Sequence, residues 1–306
     1  MLDRTILVLV DPASTETQPV VERAIWLAQR CSADLELFAV DFDSNVNTGD
    51  GSRSKASDDV KPEQILSLHR QQLEALAGPA RARGVEVAVD VAWAHPLGDA
   101  IVRKILASRP WLVAKDTQHL NLVQRTLLTN TDWQLIRSCP VPLLLVKPRA
   151  VSAQPKVLAA LDPLHQHDKP ARLDDAIFKF ADALARDIGG TLHVAHAYAM
   201  PMGLELPPHA TELVASQHRE AMAGFMATHE VPSANLHLLE GEVHQCLKRL
   251  AEDERADFVV MGAVSRRGLK KLFIGSTAER VLDRLPCDLV IIKPEGFEIP
   301  NGELIR

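Results

Sequence analysis

The sequence is short of several things at once, and each shortage closes off a class of function. No run of 18 apolar residues occurs in its 306 positions, so no transmembrane helix is expected. The opening Met1-Leu2-Asp3-Arg4-Thr5 lacks the basic stretch and long apolar core of a secretory signal. The expectation is a cytoplasmic chain without membrane attachment. There are four cysteines, Cys31, Cys139, Cys246 and Cys287, and none form a CxxC pair. Reduced, mostly buried thiols are the simplest reading. Positive charge is not in excess. The net charge of -6 and the isoelectric point near 6.1 remove the electrostatic case for a nucleic-acid partner. Local basic spots such as Arg266, Arg267, Lys270 and Lys271 are too small to change that balance. Aromatic residues make up only 4%, and the four tryptophans (Trp26, Trp93, Trp111 and Trp133) all fall in the first half. No Ser-His-Asp order, GxSxG or Walker lysine motif is present, so no catalytic residue is assigned.

What is present is a globular composition, 46% hydrophobic and 24% charged, in a chain long enough for two domains. Short apolar runs alternate with helical stripes. Residues 4–11 form an apolar run ending in Asp11, of the kind a parallel sheet buries on both faces. Apolar residues at 20, 21, 24, 25, 27 and 28 predict a helix over Pro19–Arg30. Strands are expected at Leu35–Val40, Val85–Trp93, Trp111–Ala114 and Pro142–Val146, and helices at Leu97–Ser108 and Thr131–Arg137. The polar stretch 43–61 reads as a loop, and the helix from Pro62 to Arg83 as broken or kinked at Gly78-Pro79. The pattern then restarts: Lys156–Asp162 is a strand ending in aspartate, and Asp174–Ile188 a helix stopped by Gly189-Gly190. Further strands at Leu192–Tyr198, Leu236–Leu239, Phe258–Met261 and Asp288–Ile292 alternate with helices at His209–His229, Val243–Glu254 and Thr277–Leu285.

The repeat is internal and can be checked by offset. Val146-Lys147-Pro148 matches Ile292-Lys293-Pro294 at 294 − 148 = 146, and the same offset carries Pro140 onto Pro286 and Thr131 onto Thr277. The fold expected is two tandem, open, five-stranded, mostly parallel sheets with helices on both faces, a Rossmann-like α/β arrangement. The domains are 1–150 and 151–306. The closing strands, Leu143–Val146 and Leu289–Ile292, are expected at sheet edges. There the two halves can pair about a pseudo-two-fold axis, a dimer within one chain. Homodimerisation of the whole chain stays open.

One stretch near the end combines a strand, a loop of small and basic residues and a helix start: Gly262-x2-Ser265-x9-Gly275-Ser276. Glycine at the carboxyl end of a parallel strand and glycine before a helix N-terminus are what an anion site needs. A purely structural reading stands beside it, because Ser276 with Glu279 forms a Ser-x-x-Glu capping box. The spacing resembles the nucleotide-binding string of the universal stress protein family, with Ser265 where the family has its second glycine. Asp162, Ala197 and the run Thr277-Ala278-Glu279-Arg280 also look like that family, and the resemblance covers nearly the whole chain as two copies, as in the family's tandem branch. It implies an adenine nucleotide, ATP, in the second domain. Asp162 would contact the adenine or ribose edge, and Ala197 would offer backbone. Gly262, Ser265, Gly275, Ser276 and Thr277 would cradle phosphates, and Arg266 would screen their charge. Asp162 reads equally as the cap of an Asp162-Pro163 turn, and Arg266 as a solvated loop residue.

At the offset of 146, Gly262 falls on Asp116, Ser265 on His119, Gly275 on Thr129 and Ser276 on Asn130. The first half has lost all three small positions and is not expected to bind a nucleotide triphosphate. Nine of the twelve histidines lie in the second half. His193 and His196 on one strand point to opposite faces, and no Cys–His spacing fits a closed zinc site, so a metal is not expected. The reading that results is a cytoplasmic stress-response protein that binds ATP in its second half. Its role is regulatory or protective, with at most slow hydrolysis. The alternative is a non-nucleotide scaffold in which Met200–Pro208 covers a hydrophobic ligand between the halves.

Overall fold

The structure is a computed structural model. It describes residues 4–12, 14, 18–42, 61–119, 126, 127, 129–164, 172–200, 208–229, 231, 232, 235–263, 280, 281 and 284–299. Packing divides the chain into two compact units, one reaching to Asp116 and the other running Thr117–Pro300.

The first unit contains β1 (Thr5–Leu9), α1 (Pro19–Cys31), β2 (Asp34–Asp41), α2 (Pro62–Ala82), β3 (Val87–Trp93), α3 (Leu97–Ser108) and β4 (Leu112–Asp116). The strands lie in the order β3-β2-β1-β4, and every pairing is parallel. Ile6, Leu7 and Val8 of β1 are inaccessible to solvent although they alternate between faces. Such a strand needs helices on both sides of the sheet. Helix α1 contributes Val20, Ala24, Ile25, Leu27 and Ala28, all buried on one stripe, and ends where Ser32 turns into the left-handed region at φ 50°. Helix α2 settles one alternative: it is not broken at Gly78-Pro79 but runs through both residues as a continuous helix. Proline forfeits one backbone hydrogen bond. The buried stripe Leu73, Ala77 and Ala80 spans that point and holds the turns together.

The second unit opens with a two-residue antiparallel pair that the apolar pattern did not reveal, β5 (Gln118–His119) with β6 (Thr126–Leu127). It continues with α4 (Asn130–Ser138), β7 (Leu143–Val146), β8 (Lys156–Leu161), α5 (Leu173–Asp187), β9 (Thr191–Tyr198), α6 (Pro208–Met226) and β10 (Leu236–Glu240). Last come α7 (Val243–Asp253), β11 (Phe258–Gly262) and β12 (Asp288–Ile292). The order is β10-β9-β8-β11-β12-β7, parallel throughout except that β7 runs antiparallel to β12. Helix α5 buries Leu173, Ile177, Phe178, Ala181, Leu184 and Ala185, and Gly189 beyond it takes φ 65°, the left-handed conformation that ends a helix cleanly. Within the expected helix over Thr277–Leu285, Arg280, Val281 and Arg284 are described and helical.

The repeat boundary near residue 150 follows sequence similarity. The division after Asp116 follows packing, because β7 packs with β12. In that pair Leu144 faces Val290, Leu143 faces Ile291 and Leu145 faces Leu289. The arithmetic is symmetric: 290 − 144, 291 − 145 and 289 − 143 all equal the repeat offset of 146. Repeat-equivalent residues therefore exchange places across a local two-fold axis at Leu144 and Val290. Behind this pair the connecting segment is tied to Asp257, which is 2% exposed. Its carboxylate accepts hydrogen bonds from Ser152 N (2.9 Å), Ser152 Oγ (2.7 Å) and Lys156 N (3.1 Å).

Leu144 and Val290 are both buried, so truncation leaves a cavity. Leu144→Ala is expected to cost about 2–5 kcal/mol in urea denaturation. A double-mutant cycle with Val290→Ala should show coupling of about 0.5–1 kcal/mol, because the two side chains meet directly across the strands. Strict additivity would mean that they do not touch in solution.

Candidate functional site

In the second unit the chain leaves β8 in one direction along the sheet, to β9 and β10, and returns on the other side as β11 and β12. The crevice above the carboxyl ends of β8 and β11 is therefore the topological switch point, where open α/β sheets bind ligands. Registers fix what stands there. Leu161 pairs with His196 and Ala160 with Met261, so Asp162 and Ala197 stand level with each other, and Gly262 stands one residue lower on the adjoining strand. Three of the residues expected to form a nucleotide site are thus brought to the ends of three neighbouring strands. Ser265, Arg266, Gly275, Ser276 and Thr277 lie outside the described residues, as do positions 201–207 of the loop expected to cover a hydrophobic ligand.

The glycine at 262 has a local cause as well. A Cβ there would sit 2.6 Å from Leu173 Cδ2 and 3.3 Å from Ile177 Cδ1, so the backbone of β11 lies directly against the first turn of α5. A side chain at this position would require the Leu173 side chain to move. Asp162 N donates to the buried Asp174 Oδ1 at 3.2 Å, which fixes the turn out of β8 onto α5. Beneath this turn is a histidine pair whose position had no signal in the sequence. His196 Nδ1 lies 3.0 Å from the Leu161 carbonyl, and its Nε2 lies 2.7 Å from His218 Nδ1. A carbonyl only accepts, so His196 carries its hydrogen on Nδ1, and its Nε2 accepts from His218. The His218 ring stacks on Tyr198 with centroids 4.2 Å apart. Burial, with His196 alongside, lowers the pKa of His218, while Asp162 opposes the shift. On the far side of the glycine, Lys293 Nζ donates to the Ala263 carbonyl at 3.3 Å, and burial pushes its pKa down to about 8.

The first repeat fills the same positions differently. Asp116 stands where the offset places Gly262, and its Oδ1 accepts from Val20 N at 2.8 Å, inside the first turn of α1. A carboxylate of the chain itself thus occupies the N-terminus of α1, where the second repeat has a glycine at the equivalent position. Burial raises the Asp116 pKa to about 6, against the lowering effects of the Val20 amide, Lys115 and Arg23. Thr129, the counterpart of Gly275, caps α4. Its amide donates to Asp132 Oδ2 at 2.7 Å, and its Oγ1 accepts from Asp132 N at 3.2 Å. Both helix starts are thus satisfied from within.

A sequence profile described as the Universal stress protein family matches residues 3–147 and again residues 156–293. The chain belongs to the universal stress protein family. Among universal stress proteins it is similar along its whole length to universal stress protein E of Escherichia coli (strain K12). The two are 28% identical over 309 residues, covering 97% of this chain and 96% of that protein. The universal stress protein E homolog of Haemophilus influenzae is 24% identical over 307 residues, 95% of this chain and 97% of that one. A crystal structure assigned to the universal stress proteins, from Pseudomonas aeruginosa UCBPP-PA14, shares 28% identity and a TM-score of 0.75. The match covers 96% of this chain and 94% of that one. A universal stress protein from Archaeoglobus fulgidus DSM 4304, 17% identical with a TM-score of 0.67, shares the fold. No helix among the described residues is long and apolar enough to cross a membrane.

Asp116 gives a pH signature. Its folded value of about 6 lies above the value of 3.8 for a free side chain. The fold thus holds the neutral acid more tightly, so stability is full below about pH 4 and declines as pH rises from about 4 to 6. Asparagine keeps the acceptor for Val20 without the charge. Asp116→Asn should match the wild type in urea denaturation near pH 4 and exceed it by about 1–2 kcal/mol at pH 7.5, after allowance for partial exposure. Equal loss of stability at both pH values would instead show a pH-independent defect of the amide and would count against the raised carboxyl pKa as the source of the effect.

Proposed function

We propose that the second repeat binds an adenine nucleotide, ATP in the first instance, and that the first repeat does not. One chain then carries one nucleotide and acts in the cytoplasm as a regulatory or protective stress protein. The observation that carries this reading is the contrast at one structural position. In the second sheet Asp162, Ala197 and Gly262 converge at the switch point, with a bare backbone against the start of α5. In the first sheet the Asp116 carboxylate bonds to Val20 at that place and would repel phosphate. A carboxylate at the end of β8 is suited to accept from ribose hydroxyls or an adenine amino group. The small residue at 197 leaves room for a base beside it. The sequence that follows Gly262 supplies Ser265, Arg266, Gly275, Ser276 and Thr277, the small and basic residues a triphosphate requires. Hydrolysis is expected to be slow, since His196 and His218, the latter within electrostatic reach of Asp162, are buried and hydrogen-bonded to each other and no general base is assigned.

Calorimetric titration with ATP tests this directly. The expected result is one nucleotide per chain, an affinity at least about tenfold weaker (about 1.4 kcal/mol) in Asp162→Ala, and unchanged binding in Asp116→Asn. If neither the wild type nor Ser265→Gly binds at millimolar ATP, the nucleotide reading fails. Two nucleotides per chain would overturn the assignment of the first repeat.

A further inference from the structure

The opposite, amino-terminal end of the second sheet gathers a different set of groups. His193 near the start of β9 and His237 near the start of β10 share a face, because His237 pairs with Ala195, two residues along from His193. Lys156, the first residue of β8, lies on the same face, since Lys156 pairs with Thr191 and Leu158 with His193. Glu254, immediately after α7, closes the group from the helix side. His193 Nδ1 lies 3.0 Å from His237 Nε2 and 3.9 Å from Glu254 Oε2. One ligand atom from each of the three residues lies within 4.8 Å of the other two.

From this geometry we infer a binding site for a divalent transition-metal ion of the zinc, cobalt or nickel class, held by His193 Nδ1, His237 Nε2 and Glu254. Two imidazoles and one carboxylate are a donor set such ions favour over calcium or magnesium, a water completing the tetrahedron. Nitrogens bound tetrahedrally at roughly 2.0–2.1 Å stand about 3.3 Å apart, so the pair need open by only a few tenths of an ångström. Two neutral imidazole nitrogens at 3.0 Å share one hydrogen. Metal binding moves that hydrogen to the other nitrogen of its ring and turns both lone pairs to the ion, with no net loss of a proton. Burial keeps both rings on the neutral side, lowering His193 and His237 below the usual histidine value. His193 is almost fully buried, whereas the Glu254 side chain is 29% exposed, which leaves an entry path from solvent. Lys156 Nζ donates to Glu254 Oε2 at 2.7 Å, which places a cation beside the carboxylate that would ligate the metal. Lys156 is therefore the competitor. The site shares no residue with the switch point, so it stands or falls independently of nucleotide binding.

The test is titration of the full chain with Zn2+ by calorimetry and with Co2+ by visible absorption. One ion per chain is expected, with the d–d bands of tetrahedral cobalt. His237→Ala and Glu254→Gln should each weaken binding at least about tenfold, with circular dichroism confirming that both variants fold. Lys156→Gln should tighten it several-fold, a change that a merely structural histidine pair would not produce. Absence of the tetrahedral spectrum would overturn the assignment. So would an affinity unmoved by His237→Ala, which would mark an adventitious ion on the chain's other histidines.

Discussion

Strands buried on both faces set the terms for everything else in this molecule. Val157, Leu158 and Ala159 of β8, Phe258, Val259 and Val260 of β11, and Leu289, Val290 and Ile291 of β12 are almost wholly withdrawn from solvent. Their backbone groups are satisfied by neighbouring strands and their side chains by helices, so no chemistry can be placed along their length. On these three strands polar groups enter only where the strands begin or end. At the carboxyl ends stand Asp162, Ala197 and Gly262. Toward the amino ends stand Lys156, His193 and His237. Two chemically different edges follow from one buried middle.

The two repeats answer the same physical demand in two ways. A helix start presents amides that need an acceptor, and its dipole favours a negative one. In the first repeat the acceptors are internal: Asp116 for α1 and Asp132 for α4. In the second repeat Gly262 keeps side chains away from α5, and Asp174, itself in the first turn of that helix, takes the Asp162 amide. At the same strand end, then, one repeat carries a carboxylate bonded to a helix amide and the other carries a glycine packed against a helix. The cost is visible in the carboxyl of Asp116, which burial holds up at about 6.

The parallel strands, most helices and the duplication were legible in the sequence, because apolar runs and stripes report burial and the offset of 146 reports the repeat. The placing of Asp162 and Gly262 was legible too, since each ends an apolar run. What escaped depended on contacts between distant residues. The bond from Asp116 to Val20 spans 96 positions, and His193 meets His237 across 44. Strand alternation said only that His193 and His196 face apart, not that each would find another histidine. Of the interruption or kink expected at Gly78-Pro79, the interruption is absent, because the buried stripe of α2 continues across that point and local propensity alone does not report it. The pair β5 and β6 is too short to leave any periodicity.

The pairing of Leu144 with Val290 joins surfaces of a kind that symmetric dimers bring together from separate chains. Here both strands belong to one polypeptide. The encounter is unimolecular, governed by a fixed effective concentration set by the connecting chain rather than by how much protein a cell contains. An obligate dimer dissociates as it is diluted; this seam does not. Its integrity is therefore the same when the protein is scarce as when it is abundant.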